Sequence, residues 1–194
     1  MEKPILATNI DGLLLEHEVF MEPHKAWFKR AIEKTGDDSL KKWIGKENYF
    51  LGVNQAMEKI MPDSSEEERT TQARKGYQED VINYIKEHSK KIKKDIAEKL
   101  KSLKEKYQLI LITTNSQDYI NEILKVSNLE NIYDKIIASK TEKEPVKEEL
   151  TNELIEKYGK PKYYLTGKPD EKITDKFEEL DVKVINVDEI KQIK

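Results

Sequence analysis

Short apolar runs alternate with amphipathic segments along much of this chain. The strand-like runs cover residues 5–8, 109–113, 136–138, 163–166 and 182–187. The segments between them space their apolar residues three and four positions apart, as with Ile173, Phe177 and Leu180, which is the spacing of one helix face. Buried strands that alternate with such helices predict an α/β fold, a three-layer, doubly wound parallel sheet of the Rossmann type.

The alternation stops between residues 16 and 89, where helical periods occur without a convincing strand. Asp63, Ser64 and Ser65 precede three consecutive glutamates at 66–68, a pattern typical of a helix N-terminus with a Ser or Asp cap and acids in its first turn. We therefore expect a core domain formed by 1–15 and 90–194. A helical cap domain, 16–89, is expected as an insertion after the first strand, above the carboxyl edge of the sheet.

Composition and charge limit the partners. The 35 Lys and Arg residues nearly balance the 38 Asp and Glu residues, so no basic field indicates nucleic acid. A lysine-rich stretch over 86–106 fits a solvated helix face better than a nucleic-acid patch, because no arginine or aromatic residue is interleaved with its lysines. Cysteine is absent, which excludes disulfides and thiolate chemistry. The apolar runs are too short to span a bilayer, and we expect a soluble, cytoplasmic protein without a membrane partner.

Polar side chains follow the predicted strands where each strand ends. Because the carboxyl ends of parallel strands share one edge, these residues are expected to form one site. His17, His24 and His88 show no metal-ligand spacing, so a zinc site is not expected. The strand-end segments contain Asn9, Asp11 and Gly12, then Thr114 and Asn115, then Lys143 before Pro145, and finally Gly167, Lys168 and Asp170.

The order of these segments, with a helical insertion after the first, resembles the haloacid dehalogenase (HAD) superfamily, in particular its phosphatase and phosphoglucomutase-like branch. That family has Asp-x-Asp-Gly at the first strand, a Ser or Thr often followed by Asn at the second, a Lys before a Pro, and Gly-Asp with a further acid. In such enzymes the first Asp attacks phosphorus and forms an aspartyl phosphate. The second Asp acts as general acid and base, and Mg²⁺ binds the acids and the phosphate.

The resemblance assigns roles to the matching positions. Asp11 corresponds to the general acid/base, and Thr114 and Asn115 correspond to the pair that holds the phosphate. Lys143 corresponds to the phosphate-binding lysine, and Lys140 and Lys147 are its rivals. A loop lysine and a helix-capping threonine are the plain structural alternatives for Lys143 and Thr114.

Two positions depart from the family pattern. Asn9 stands at the nucleophile with a neutral amide, which is a poor nucleophile and a poor Mg²⁺ ligand. Lys168 stands where the acids of the fourth segment begin, and an ammonium there repels a dication. A metal ion is left with the Asp11 backbone carbonyl, water and, if the loop shifts, Asp170. We expect no cofactor, with Mg²⁺ only if the site is competent after all.

The two substitutions make joint sense if Lys168 pairs with Asp11 or with a bound anion; the alternative is a lysine that points to solvent. The leading hypothesis is a HAD-like protein that has lost ordinary phosphatase activity and keeps a pocket for a small anionic or phosphorylated ligand, in a binding or regulatory role. One alternative is an active phosphohydrolase with a non-standard mechanism. Another is a structural or interaction protein with an inert pocket, and fold resemblance alone does not choose among them.

Overall fold

A computed structural model describes residues 3–46, 49–139, 147–168 and 171–193 of the chain. Strands and helices alternate outside one purely helical region. The strands are β1 (Ile5–Thr8), β2 (Gln108–Ser116), β3 (Lys135–Ser139), β4 (Tyr163–Thr166) and β5 (Lys183–Asn186). The α-helices are α1 (Glu18–Thr35), α2 (Tyr49–Ile60), α3 (Glu66–Glu87), α4 (Lys94–Leu103), α5 (Gln117–Val126), α6 (Lys147–Tyr158) and α7 (Glu171–Glu179). Short 3₁₀ helices cover Asp38–Trp43, Ser89–Lys91 and Val187–Gln192.

The five strands form one sheet in the order β3-β2-β1-β4-β5, and every pairing is parallel. The predicted parallel α/β fold is thus confirmed. The main difference from the prediction is in β2, which continues past residue 113 to Ser116. A register shift lies between Thr113 and Ser116, where Ser116 pairs with Ser139 of β3. Residues 114–116 therefore lie in the strand rather than in a loop after it.

Both faces of the sheet are buried. On one face, alternate strand residues pack with α6 and α7 in a cluster that includes Ile112, Tyr164 and Phe177. The intervening residues Leu6 and Leu111 point to the other face and are fully buried too. Because the strands are apolar on both sides, the polar groups that follow them collect at the carboxyl edge, where the helices leave the sheet open.

The chain divides into two compact units. One comprises Met1–His17 and Ser89–Lys194, and the other is Glu18–His88. The second unit has its own apolar cluster around Phe28, Leu40 and Ala56. Within the described residues, no helix has the length and apolar character needed to cross a membrane. The role of the helical unit as a cap domain stays a prediction.

The expected N-terminus of α3 is confirmed. Ser65 is the N-cap: its hydroxyl accepts from the Glu68 N–H at 3.2 Å, and the Glu68 carboxylate accepts from the Ser65 N–H at 2.8 Å. This reciprocal pair is a capping box, which satisfies two backbone donors that the helix leaves unpaired. The hydrogen bonds to the carboxylate also lower the pKa of Glu68.

Asp37 joins the 3₁₀ helix Asp38–Trp43 to α2 within the helical unit. Its carboxylate accepts from the Ser39 N–H at 3.0 Å, from Gln55 Nε2 at 2.8 Å and from Lys59 Nζ at 2.9 Å. Hydrogen bonding from Ser39, followed by that from Lys59, holds the pKa of Asp37 well below its usual range. The charged carboxylate thus fastens the 3₁₀ helix Asp38–Trp43 to α2.

Candidate active site at the carboxyl edge of the sheet

The chain turns sharply where β1 ends. The Ile10 carbonyl accepts from the N–H groups of Leu13, Leu14 and Leu15, and the Gly12 N–H donates to the Leu15 carbonyl at 2.8 Å. Gly12 has a φ of +72°, a backbone conformation that residues other than glycine rarely adopt. The compact turn keeps residues 9–12 beside the end of β1.

Two glycines bring this turn against the loop after β4. A Cβ on Gly12 would lie 2.7 Å from the Gly167 carbonyl carbon and 3.0 Å from the Lys168 backbone nitrogen. A Cβ on Gly167 would overlap the backbone of Gly12 and Leu13. The two loops therefore touch through their backbones, and neither position has room for a side chain.

The Asn9 side chain fastens the same two loops. Its Oδ1 accepts from the Gly167 N–H at 3.1 Å, and its Nδ2 donates to the Asp11 carbonyl at 3.0 Å and lies 3.5 Å from the Lys168 carbonyl. The orientation of the amide follows from its partners, because an N–H only donates and a carbonyl only accepts. A carboxylate at this position would keep the first contact and lose the donor that the two carbonyls face.

Asp11, His17 and Lys168 form a continuous chain of contacts. His17 Nδ1 lies 3.0 Å from both oxygens of the Asp11 carboxylate. On the other side of the ring, His17 Nε2 lies 3.1 Å from Lys168 Nζ. The Asp11 and His17 side chains are 32% and 40% exposed, so solvent and small ligands can reach the group. The pairing of Lys168 with Asp11 that the sequence suggested is thus indirect, through an imidazole.

Proton counting fixes the histidine tautomer in this arrangement. A lysine ammonium has three donors and no acceptor, so His17 Nε2 has to accept from Lys168. The proton of the neutral ring then resides on Nδ1, where it is donated to Asp11. The carboxylate holds the ring, and the ring holds the ammonium without cancelling its charge.

The residues that the structure describes at this edge do not fit a Mg²⁺ ion. The Asp11 carbonyl, which the family resemblance would offer to the metal, instead accepts from the Asn9 amide. The Asp11 carboxylate faces His17, and the Lys168 ammonium lies on the other side of the same ring. Over the described ranges, no group of three or more His, Cys, Asp or Glu side chains is arranged to hold a metal ion. Mg²⁺ requires several oxygen ligands in octahedral geometry, and donors occupy those positions here.

Buried hydroxyls support the end of β1. The Thr8 hydroxyl lies 2.9 Å from the Tyr133 hydroxyl and 3.0 Å from the Asn9 carbonyl. Burial raises the pKa of Tyr133, so its hydroxyl stays protonated and available for hydrogen bonding. On the other side of the turn, Lys93 Nζ donates to the Gly12 carbonyl at 2.6 Å. These contacts fix the backbone from which Asn9 and Asp11 project.

The end of β2 contributes a hydroxyl and an amide to the same edge. Thr113 Oγ1 accepts from the Asn115 backbone N–H at 3.2 Å and from Asn115 Nδ2 at 3.1 Å. Thr114 and Asn115 are half-buried. Within the described part of the chain, the Thr114 side chain makes no hydrogen bond, so its hydroxyl is available to a ligand.

Hydrogen bonds thus join Asn9, Asp11, Gly167 and Lys168, whereas among the described residues Thr114 and Asn115 share the sheet edge without a hydrogen bond to them. Lys143, its rival Lys140, and Asp170 lie outside the described residues, as does the side chain of Lys147. Sequence reasoning missed His17, because histidines were considered only as metal ligands. A histidine six residues after Asp11, in the same turn, was the available signal.

The haloacid dehalogenase-like hydrolase family model matches residues 9–164 of this chain. The match begins at Asn9 and ends before Gly167 and Lys168, so it covers the first three segments of the site and not the fourth. No relative is found among curated protein sequences.

Solved structures share the fold at low sequence identity. One described as a phosphatase from Clostridium difficile has 16% identity and a TM-score of 0.60, with 96% of this chain and 85% of that chain covered. One described as a beta-phosphoglucomutase from Thermotoga maritima has 17% identity and a TM-score of 0.55, and both chains are covered completely. The HAD-hydrolase YfnB from Bacillus subtilis, bound to magnesium, has 12% identity and a TM-score of 0.51, with coverage of 86% and 80%.

Proposed function

Because this chain belongs to the haloacid dehalogenase-like hydrolase family, we propose that it is a member without the aspartyl-phosphate reaction that keeps a pocket for a small phosphorylated or other anionic ligand. Its role is binding or regulation. The helical unit, Glu18–His88, serves as the cap domain. The ligand pocket belongs to the sheet edge that the loops after β1 and β4 share with the end of β2.

The observation that carries the loss of activity is the hydrogen bonding of Asn9. The aspartyl-phosphate reaction needs a carboxylate that attacks phosphorus. An amide has no such nucleophile, and this amide donates to the Asp11 carbonyl and accepts from Gly167. The Asn9 side chain thus connects two loops. Because both ends of the amide are used in these hydrogen bonds, it is not free to serve as a metal ligand.

The observation that supports an anion pocket is the balance of donors at the same edge. Lys168 supplies an ammonium, and Thr114 and Asn115 supply a hydroxyl and an amide at the end of β2. The family resemblance adds Lys143. Donors of this kind along one sheet edge can stabilise phosphoryl oxygens.

A turnover assay with Mg²⁺ tests the catalytic half of the proposal. The chain, Asn9→Asp, and Asn9→Asp combined with Lys168→Asp are compared on a panel of phosphate monoesters. We expect no turnover from the first two, since Lys168 still repels the metal, and measurable turnover only from the double variant. A rate near 1 per second or above from the unmodified chain, which is an ordinary enzymatic value, would show an active phosphohydrolase and refute the proposal.

Thermal unfolding with added inorganic phosphate tests the binding half. A ligand that binds only the folded state raises its stability, by about 2.7 kcal/mol at one hundred times its Kd. We expect phosphate to raise the Tm of the chain, and Lys143→Ala or Thr114→Val to weaken the rise. If phosphate leaves the Tm unchanged, the pocket is inert and the structural alternative is favoured.

A further inference from the structure

We propose that Lys168 is the cation that receives the ligand's phosphoryl group, and that His17 is its positioning residue. The inference rests on the proposed anion pocket and deepens it, because it names the receiving group and the residue that prepares it. The ligand class is a phosphate monoester or inorganic phosphate, whose clustered oxygens accept hydrogen bonds from one ammonium. His17 acts through Lys168 and has no ligand contact of its own.

The charge of Lys168 is available because the group that accepts from it is an imidazole nitrogen and not a carboxylate. Its Nζ lies 3.1 Å from His17 Nε2, and no carboxylate among the side chains that the structure describes, which do not include those of Asp170 and Glu171, forms an ion pair with it. Of its three N–H donors, one is used by the imidazole and two remain. A carboxylate in the place of His17 would hold the ammonium equally well and neutralise it, which would weaken its attraction for an anion.

Asp11 acts on Lys168 indirectly, through its contact with His17. Its carboxylate lies 3.0 Å from His17 Nδ1, and it therefore stabilises the tautomer in which Nε2 is the acceptor. The negative charge of Asp11 is directed to the ring and away from Lys168. One residue that the family uses for proton transfer is thus used to orient a histidine.

Holding the lysine in advance matters because its side chain is long and flexible. A lysine that becomes ordered only when the ligand binds loses side-chain entropy at that moment, and the loss reduces affinity. The contacts of Lys168 with His17, and of its carbonyl with Thr166 Oγ1 at 2.7 Å, restrict both ends of the residue beforehand. Affinity therefore depends on His17 although the ligand touches Lys168.

The test is a calorimetric titration with inorganic phosphate. The unmodified full chain is compared with Lys168→Met, His17→Ala, His17→Gln and the double variant that combines Lys168→Met with His17→Ala. We expect Lys168→Met to weaken binding about tenfold or more, as for the loss of one charge-assisted hydrogen bond. His17→Ala should weaken it about threefold, and the effect should vanish when Lys168 is already methionine. His17→Gln, whose Oε1 can accept from Lys168, should restore most of the affinity. Lys101→Met removes an exposed lysine elsewhere and should have no effect.

A second readout reports the tautomer directly. Side-chain ¹⁵N NMR of the three histidines, with His17 assigned through His17→Ala, should show the proton on Nδ1. The preference should weaken in Lys168→Met, where the Asp11 carboxylate alone still favours this tautomer. Equal phosphate affinity of the chain and Lys168→Met overturns the inference and leaves the anion pocket intact. An undiminished effect of His17→Ala in the Lys168→Met background overturns the role of His17. No phosphate binding by the unmodified chain overturns the pocket and this assignment together.

Discussion

The geometry of the site predicts that Asn9→Asp destabilises the folded chain, because two backbone carbonyls face the amide donor of Asn9. The introduced carboxylate keeps the hydrogen bond from the Gly167 N–H. Its second oxygen takes the place of Nδ2, which in the unmodified chain lies 3.0 Å from the Asp11 carbonyl and 3.5 Å from the Lys168 carbonyl. A part-buried acceptor that loses its donor costs about 1–3 kcal/mol, and repulsion between the oxygens adds to this. We expect a loss of about 2 kcal/mol in the free energy of unfolding. For a chain of this size that lowers the Tm by about 4–8 °C.

The pH dependence of the loss identifies its cause. The carbonyls disfavour the ionised form, so the pKa of the introduced carboxyl group is higher in the folded than in the unfolded chain. Its destabilising effect is therefore fully present above the folded pKa and fades as the pH falls, when the protonated group can again donate to the Asp11 carbonyl. Urea unfolding at about pH 8 and about pH 4 measures the difference, because the lower value is close to the ordinary Asp pKa of about 3.9 and below the raised pKa of the folded state.

Asn9→Ala is the matched control. It removes the amide contacts without adding a charge, so its destabilisation should not change with pH. If Asn9→Asp is as stable as the unmodified chain at both pH values, the amide is not a structural connector, and the argument that it has replaced a metal-binding carboxylate fails.

Three further predictions concern the framework around the site. Gly167→Ala should lower the free energy of unfolding by about 3 kcal/mol, because the new Cβ would overlap neighbouring backbone atoms. Gly159→Ala has open space around it and should show only the smaller strain of its φ of +93°. Chemical denaturation of the two variants measures the difference. The lowered pKa of Asp37 means that its contribution to stability is present above its unfolded pKa of about 4 and is lost as the pH falls below it. That acid sensitivity should diminish in Lys59→Met, and unchanged pH profiles would contradict the role of the carboxylate. Tyr133→Phe should cost about 1 kcal/mol by removing a buried hydroxyl bond, and a neutral result in thermal unfolding would show that the bond contributes nothing.

The fold was predictable because its signal is repeated. Apolar runs such as 163–166 stand between amphipathic helices, and the strand found there, Tyr163–Thr166, has the predicted bounds. The cap of α3 at Ser65 was predictable because its chemistry is local to four residues. The extension of β2 to Ser116 was missed, because polar residues at a strand end look like a loop until a neighbouring strand pairs with them.

The sequence indicated several residues of the candidate site, but it did not indicate how they are connected. The order of Asn9, Asp11, Gly167 and Lys168 along the chain indicated one edge of the sheet, where direct contacts join them. The sequence gives no distance between Asp11 and Lys168, so the placement of His17 between them could not be read from spacing. Side-chain direction within a turn depends on backbone angles that a single sequence does not specify.

The backbone contact between Gly12 and Gly167 has a consequence for folding kinetics. The two residues lie at opposite ends of the sequence, and β1 is paired with β4 only through equally distant partners, such as Leu6 with Tyr163. Contacts of such high sequence separation carry a large loop-closure entropy and tend to form late. We therefore expect the site to be among the last parts of the molecule to assemble. Partly folded chains would contain most of the sheet and helices while the contacts of the candidate site are still absent.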